Sequence, residues 1–363
     1  MVDLGPPPAS SFASDNAAGV HPAALAAVAA ANQGPAVAYG ADPWTERAVG
    51  RLRELFGAPV DVAFCWGGSG ANLVGLQCLL GPGEAIICPE SAHLNTDEGG
   101  APERVVGAKV VGVPGPDGKL APEGLLDAYA RVGGAHRAQP RAVSITQSTE
   151  SGTLYTPAEI AVLADLAHDR GLYLHLDGAR IANAAAALGV PVTAFTTDVG
   201  VDIVTFGGTK GGLMAAEAVV CCNPALAPRL PFAHKQAGQL ASKMRFVAAQ
   251  VDAYLTDDLW LANARVANDA AAALADGVAA IEGVELSHHP EVNAVFARLP
   301  QPAIEALLAW SFFYVWDAAA GEVRWMTNFQ TTPADVERFV AGVARAVAAS
   351  DPTGGSAAGP PVT

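Results

Sequence analysis

Residues 202–212 read DIVTFGGTKGG. The run Ile203, Val204, Thr205, Phe206 is β-branched and aromatic, suits a strand buried on both faces, and stops at two glycines. Lys210 follows, with two more glycines behind it. A lysine normally carries its ammonium out to water on a flexible stem. Here it stands at the end of a buried strand with bare backbone around it. A side chain so placed faces whatever binds at that strand's end.

The same alternation extends on both sides. Strand-like runs at 61–66, 84–89, 108–114, 141–147, 172–178, 202–206 and 217–222 are separated by helical patterns at 71–80, 122–132, 157–171 and near 180–188. Near-continuous apolar strands between amphipathic helices predict an α/β domain built on a mostly parallel seven-stranded sheet, covered on both faces. Such sheets bind ligands at the C-terminal ends of their strands. Beyond Pro224 the pattern changes. Helical periodicity dominates 234–281, and a smaller α+β set follows, with strands at 284–290, 294–300, 312–317 and 322–328 and helices at 302–310 and 333–348. The expected division is a flexible end at 1–10, a large domain at 11–255 that includes the N-terminal segment, a small domain at 256–349 and a disordered tail at 350–363. No repeat is visible at periods of 20–50 residues.

A formal net charge of −15 argues against nucleic-acid or anionic-membrane partners, which want a basic face. Five cysteines, most in apolar segments and none in a CxxC pair, predict buried reduced thiols rather than a disulfide framework or a zinc site. No basic end precedes an apolar core at the N-terminus, and the alanine-rich stretch around 23–31 is too short to span a bilayer. A cytoplasmic protein is expected.

Residues with chemistry cluster after the strands. GGSGAN (67–72) is either a tight turn or, with its backbone N–H groups and the Ser69 hydroxyl, a phosphate cradle at a helix start. His93, Asp97 and Glu98 follow the second strand; a histidine there is a loop residue or a site residue, and the ligands are too few for a metal. Asp177 ends the strand at 172–178, with Arg180 three residues on; an N-cap aspartate beside a surface arginine would look the same. Lys210 lies one strand-helix-strand unit further, so it and Asp177 can face one cleft. Together these match the needs of pyridoxal 5'-phosphate. A lysine amine bonds the aldehyde, an aspartate keeps the pyridine nitrogen protonated, and a glycine turn with hydroxyls such as Thr209 holds the phosphate. His93 could cover the ring face.

Eight segments occur in an order that resembles the low-specificity L-threonine aldolases, a pseudomonad-like branch within the β-eliminating lyase group: FASDN (12–16), YGADPWT (39–45), SGANLVGL (69–76), AHLNTDEGGAP (92–102), TQSTESGTLYTPAEI (146–160), HLDGARIANAAAALG (175–189), FGGTKGG (206–212) and KQAGQLASKMRF (235–246). The resemblance covers about residues 11–348. It implies the fold type I of pyridoxal-phosphate enzymes and cleavage of β-hydroxy-α-amino acids to glycine and an aldehyde. By position it implies Lys210 as the lysine that bonds the cofactor, Asp177 as partner of the ring nitrogen, Gly68 and Ser69 at the phosphate, and His93 stacked on the ring. It also implies His136 near the substrate β-hydroxyl, and Ser14, Arg180 and Arg324 on the substrate carboxylate. Lys235 is implied to reach the neighbouring subunit's phosphate, which makes a dimer the smallest active unit and a tetramer common.

The chain departs from the family pattern in three places. Ser69 replaces a usual threonine and keeps the hydroxyl; Ala41 replaces an aspartate; and the usual histidine shortly after the position of Arg324 is missing from VRWMTNF. Trp310, Phe312, Phe313 and Trp316 are expected in the core of the small domain, with lining of the aldehyde pocket by one of them as the alternative. Either His93 or His136 would serve as base, with a pKa near ~6.5. The alternatives on the same fold are β-elimination and transamination. A cofactor-binding regulator is the non-enzymatic alternative.

Overall fold

A computed structural model describes residues 3–57 and 59–350. They form two compact units, one of Gly19–Arg265 and one joining the described parts of Met1–Ala18 and Val266–Thr363. The larger unit opens with α1 (Pro22–Ala31) and α2 (Pro43–Phe56). It then alternates β1 (Asp61–Cys65), α3 (Gly68–Leu79), β2 (Glu84–Pro89), the single turn α4 (His93–Thr96), β3 (Lys109–Val113), α5 (Pro122–Arg131), β4 (Gln139–Thr146), α6 (Pro157–His168), β5 (Tyr173–Gly178), α7 (Ile181–Leu188), β6 (Ile203–Phe206) and β7 (Glu217–Cys221). Helices α8 (Leu230–Gln236) and α9 (Arg245–Leu255) follow, and the chain leaves this unit within α10 (Leu259–Ala279). The expected helical stretch at 234–281 is thus three helices. Gly238 at φ 70° and the adjacent Asp257 and Asp258 at φ 53° adopt left-handed backbone that no helix continues through.

The seven strands run in the order β1-β7-β6-β5-β4-β2-β3. Strands β2 to β6 pair in parallel, and β7 lies antiparallel between β1 and β6. Each strand divides its residues between two faces with period two. Val143, Ile145, Leu174, Leu176, Val204 and Phe206 belong to one apolar core. Ala142 and Ile203 join Val74 and Leu79 of α3 in a second core on the other face. Ser144, His175, Asp177 and Thr205 occupy positions that alternate with the first set, so this second face carries a buried polar row. Burial on both faces explains why the strands read as continuous apolar runs.

Helix boundaries follow local chemistry. Asp42 caps α2 by accepting the Thr45 N–H at 2.9 Å, and Gly57 ends it at φ 63°. Thr156 and Glu159 form a reciprocal capping box at the start of α6. Helix α3 starts at glycines with no side-chain cap, which leaves its first N–H groups available.

The smaller unit continues with β8 (Glu285–Leu286), β9 (Ala294–Arg298), α11 (Gln301–Trp310), β10 (Tyr314–Asp317), β11 (Glu322–Met326) and α12 (Pro333–Ser350). Its antiparallel sheet has the order β10-β11-β9-β8. Fully buried Phe12, Phe313, Trp325 and Phe339 make its core. The N-terminal segment belongs here and not with the large domain, and the division falls at 265/266 and not 255/256. Nor are the first residues from Asp3 a loose end. Leu4 is buried, Trp310 Nε1 donates to the Gly5 carbonyl at 2.8 Å, and the Asp335 carboxylate accepts the Ala9 and Ser10 N–H groups. One buried apolar side chain and these hydrogen bonds hold the proline-rich stretch. The expected tail lies outside the described residues except for Ser350.

Phe313 is core, as expected, and Trp310 packs on Phe339 with ring centroids 5.9 Å apart. Phe312 and Trp316 are instead 60% and 41% exposed. The outer strand β10 shows all four residues to solvent, because no layer covers it.

Cys65, Cys78, Cys88 and Cys221 are buried, and all five cysteines are free thiols. Burial pushes Cys78 and Cys88 up to about 12, so they stay protonated and inert. Among the described residues, no helix is long and apolar enough to cross a membrane, and no group of three or more His, Cys, Asp or Glu is placed to hold a metal ion.

Candidate active site

Lys210 sits in a 3-10 turn, Thr209–Gly211, directly after β6. Gly207 N donates to Gly178 O at 3.0 Å, so this turn starts level with the end of β5. The surrounding glycines permit backbone contact. A Cβ on Gly207 would collide with the Ala179 carbonyl, one on Gly208 with the Ala216 carbonyl, and one on Gly211 with the Tyr254 hydroxyl. Beneath the turn, buried Glu217 accepts the Gly208 N–H at 2.7 Å. Burial raises its carboxyl above the ordinary carboxylate range, opposed by hydrogen bonds from Thr209 and Gly208 and by the charge of Lys210.

Asp177 pairs with Thr205 across β5 and β6 and is 3% exposed. Its Oδ1 accepts the Ala179 N–H at 3.0 Å, and its Oδ2 accepts Asn72 Nδ2 at 2.8 Å. Asn72 Nδ2 also donates to Glu98 Oε1 at 2.8 Å, and Glu98 Oε1 lies 3.0 Å from His93 Nδ1. The hydrogen bond to Glu98 is the main cause that raises the His93 pKa above its usual value, with Glu150 and Asp177 adding and desolvation opposing.

Behind Asn72, Thr205 Oγ1 donates to Asn72 Oδ1 at 2.8 Å, His175 Nε2 is 3.3 Å from Thr205 Oγ1, and Ser144 Oγ is 2.9 Å from His175 Nδ1. Fully buried His175 has its pKa pushed down by burial to about 4, against the pull of Asp177, so it is neutral at pH 7. The Thr205 proton is spent on Asn72, so His175 must donate from Nε2 and accept at Nδ1. The arrangement therefore has one direction, with every donor aimed towards Asp177 and Glu98.

The start of α3 lies over the same strand ends, since Asn72 belongs to its second turn. It has no side-chain cap, and a Cβ on Gly67 or Gly68 would meet nothing within 4 Å, so open space borders this turn. Such a helix start attracts an anion. Among the described residues, Glu98 Oε2 and Ser148 Oγ, the latter just past the end of β4, are buried without hydrogen-bond partners. A lysine, a fixed carboxylate, a histidine hydrogen-bonded to a second carboxylate and an uncapped helix start thus lie at one edge of the sheet.

Residues 11–301 match the profile of the beta-eliminating lyase family. The chain belongs to this family. It is 43% identical over 328 residues to the low specificity L-threonine aldolase of Pseudomonas aeruginosa, covering 90% of this chain and 94% of that protein. The low specificity L-threonine aldolase of a Pseudomonas species is 41% identical over 335 residues, covering 92% and 96%. Among solved structures, threonine aldolase of Leishmania major superposes with a TM-score of 0.87 at 32% identity, covering 93% of this chain and 99% of that one.

The other expected site residues of this beta-eliminating lyase have different settings. Arg180 begins α7, three residues after Asp177, and is 8% exposed. Thr209 Oγ1 accepts the Ala216 N–H at 3.3 Å. Lys235 is exposed on α8, its ammonium 4.9 Å from the Tyr39 ring centroid. Ser14 and Arg324 belong to the smaller unit. Ser14 caps a 3-10 turn by accepting the Asn16 N–H at 3.2 Å, and the Arg324 guanidinium stacks 4.8 Å over the Trp316 ring.

His136 requires a correction. It lies in an exposed turn before β4, at the edge where the parallel strands begin. Asp177 pairs with Thr146 at the far end of that eight-residue strand, roughly 25 Å away at ~3.3 Å per residue. Within one chain His136 does not join His93, Asp177 and Lys210.

Asn72, Thr205, His175, Ser144 and Glu217 were not expected as site residues. For Ser144, His175 and Thr205 the available signal was a polar side chain at an alternate position of an otherwise apolar strand. Buried polar side chains of this kind need hydrogen-bond partners.

Proposed function

We propose that the protein is a pyridoxal 5'-phosphate-dependent aldehyde-lyase that cleaves L-threonine, L-allo-threonine and related β-hydroxy-α-amino acids, phenylserine among them, to glycine and an aldehyde. One observation carries the reading. Asp177 and Lys210 end neighbouring strands, and His93 is tied to Asp177 through Glu98 and Asn72, in a chain so similar to L-threonine aldolases.

The residues fit the cofactor. The Lys210 amine suits an aldehyde carbon. Each Asp177 oxygen keeps a lone pair after its one hydrogen bond, enough to accept a ring N–H. Gly68, Ser69 and Thr209 offer N–H and hydroxyl groups to a phosphate, and His93 offers an imidazole face to the ring. When bound, the cofactor supplies the electron sink for the pair left by the Cα–Cβ bond.

The chain's own residues do the rest. Arg180 binds the substrate carboxylate by charge-assisted hydrogen bonds, and the resemblance gives Ser14 and Arg324 the same task. His93 takes the β-hydroxyl proton as the aldehyde departs. Glu98 accepts its Nδ1 proton, which leaves the Nε2 lone pair free for this work. Lys210 bonds the cofactor between turnovers. Lys235 serves the neighbouring subunit's phosphate, so the active unit is at least a dimer, with a tetramer its further assembly.

Borohydride reduction of the cofactor-loaded protein, followed by peptide mass spectrometry, tests the centre of this reading. A pyridoxyl group on the peptide containing Lys210 is expected. A label on another lysine, or none, would overturn it.

A further inference from the structure

We propose that Asn72 is a positioning residue that joins the Asp177 carboxylate to the His93–Glu98 pair and makes the charge at one depend on the other; the inference rests on the cofactor-dependent reading above.

Asn72 is 2% exposed, and its amide is fully spent. One Nδ2 proton goes to Asp177 Oδ2, the second to Glu98 Oε1, and Oδ1 accepts the Thr205 hydroxyl. The flipped amide would turn its oxygen against two carboxylates, so this orientation is fixed. From behind, the Thr205 hydroxyl donates to Oδ1, which agrees with this orientation. Two buried carboxylates thus share a single donor, which offsets their mutual repulsion. The groups acting on His93 are Glu98, Glu150 and Asp177, and Asn72 binds two of the three.

Removing the amide has a definite consequence. Asp177 keeps the Ala179 N–H. Glu98 keeps only His93, with its second oxygen already buried and unpartnered, so one contact alone holds it in place. A Glu98 so loosened favours the charged imidazole less, and Asp177 loses one of the two bonds that aim it.

The test is Asn72→Ala in the reconstituted holoenzyme, its fold checked by thermal melt. Two quantities are measured: the dissociation constant of pyridoxal 5'-phosphate by equilibrium dialysis, and the acid limb of kcat/KM with L-threonine. The dissociation constant is expected to rise about tenfold, as for loss of a hydrogen bond to a charged group. The acid limb is expected to move down by about one pH unit as the Glu98 hydrogen bond that raises the His93 pKa is loosened. An unmoved limb overturns the proposal whatever the affinity does, because a purely structural role would weaken binding alone. If Asn72→Ala does not fold, Thr205→Val replaces it; this variant frees the amide while keeping its shape, with the same shifts expected at smaller size and the same unmoved limb as refutation. A parent protein that binds no pyridoxal 5'-phosphate would overturn the functional reading and this inference with it. A parent that binds, with variants that match it, overturns the inference alone.

Discussion

Lys210 owes its place to what its neighbours lack: side chains on Gly207, Gly208 and Gly211 would strike backbone or Tyr254. Lys210→Ala should leave the fold intact and abolish turnover together with the cofactor's visible band; wild-type turnover in that variant would remove the assignment. His93 should act as base only when neutral, and its pKa is raised, first by Glu98. Activity is therefore lost as pH falls through a value above the ordinary ~6.5. His93→Ala should lower kcat by roughly 10²–10⁴-fold, and Glu98→Gln should move the acid limb of the pH–rate profile down; a limb that stays in place would exclude the pair. His175 behaves in the opposite sense. Its folded pKa of about 4 lies below its unfolded one, so the unfolded chain binds more protons and stability falls as pH drops from about 6.5 towards 4. His175→Gln, which cannot charge, should flatten that slope in acid unfolding curves.

At the level of elements, the sequence reveals most where periodicity and burial agree. The seven strands were legible because most of the sheet is covered on both faces, so most of them read as largely apolar runs. The ends of α6 were legible from Pro157 and Gly171, and the structure adds the Thr156–Glu159 box. Thr156→Ala should cost about 1 kcal/mol, read as a lowered chemical-denaturation midpoint with an unchanged slope; no change would mean that solvent replaces the cap. The site was legible only in part. Lys210, Asp177 and His93 declare themselves because they follow strands. Asn72 hides as the fifth residue of α3, and its role appears only when α3 lies over Thr205 and Asp177. His136 entered by family resemblance alone, and within one chain it stands before β4, at the opposite end from Thr146 and its partner Asp177. Phe312 and Trp316 misled because aromatic content does not reveal that β10 is an edge.

At the scale of the whole molecule, the two ends of the described chain meet in the smaller unit. Phe12 stacks on Phe339 of α12 with centroids 4.2 Å apart and is fully buried. Phe12→Ala should cost roughly 3–5 kcal/mol, measured by denaturant unfolding; a loss under about 1 kcal/mol would show that the segment is held by its hydrogen bonds alone. The central claim concerns what the assembled molecule makes. The most direct measurement incubates the purified, cofactor-loaded protein with L-threonine, L-allo-threonine and phenylserine separately and quantifies glycine together with acetaldehyde or benzaldehyde. Glycine and aldehyde in equal amounts are expected from at least one of the three. A 2-oxo acid with ammonia, or no aldehyde from any of them, would contradict the claim.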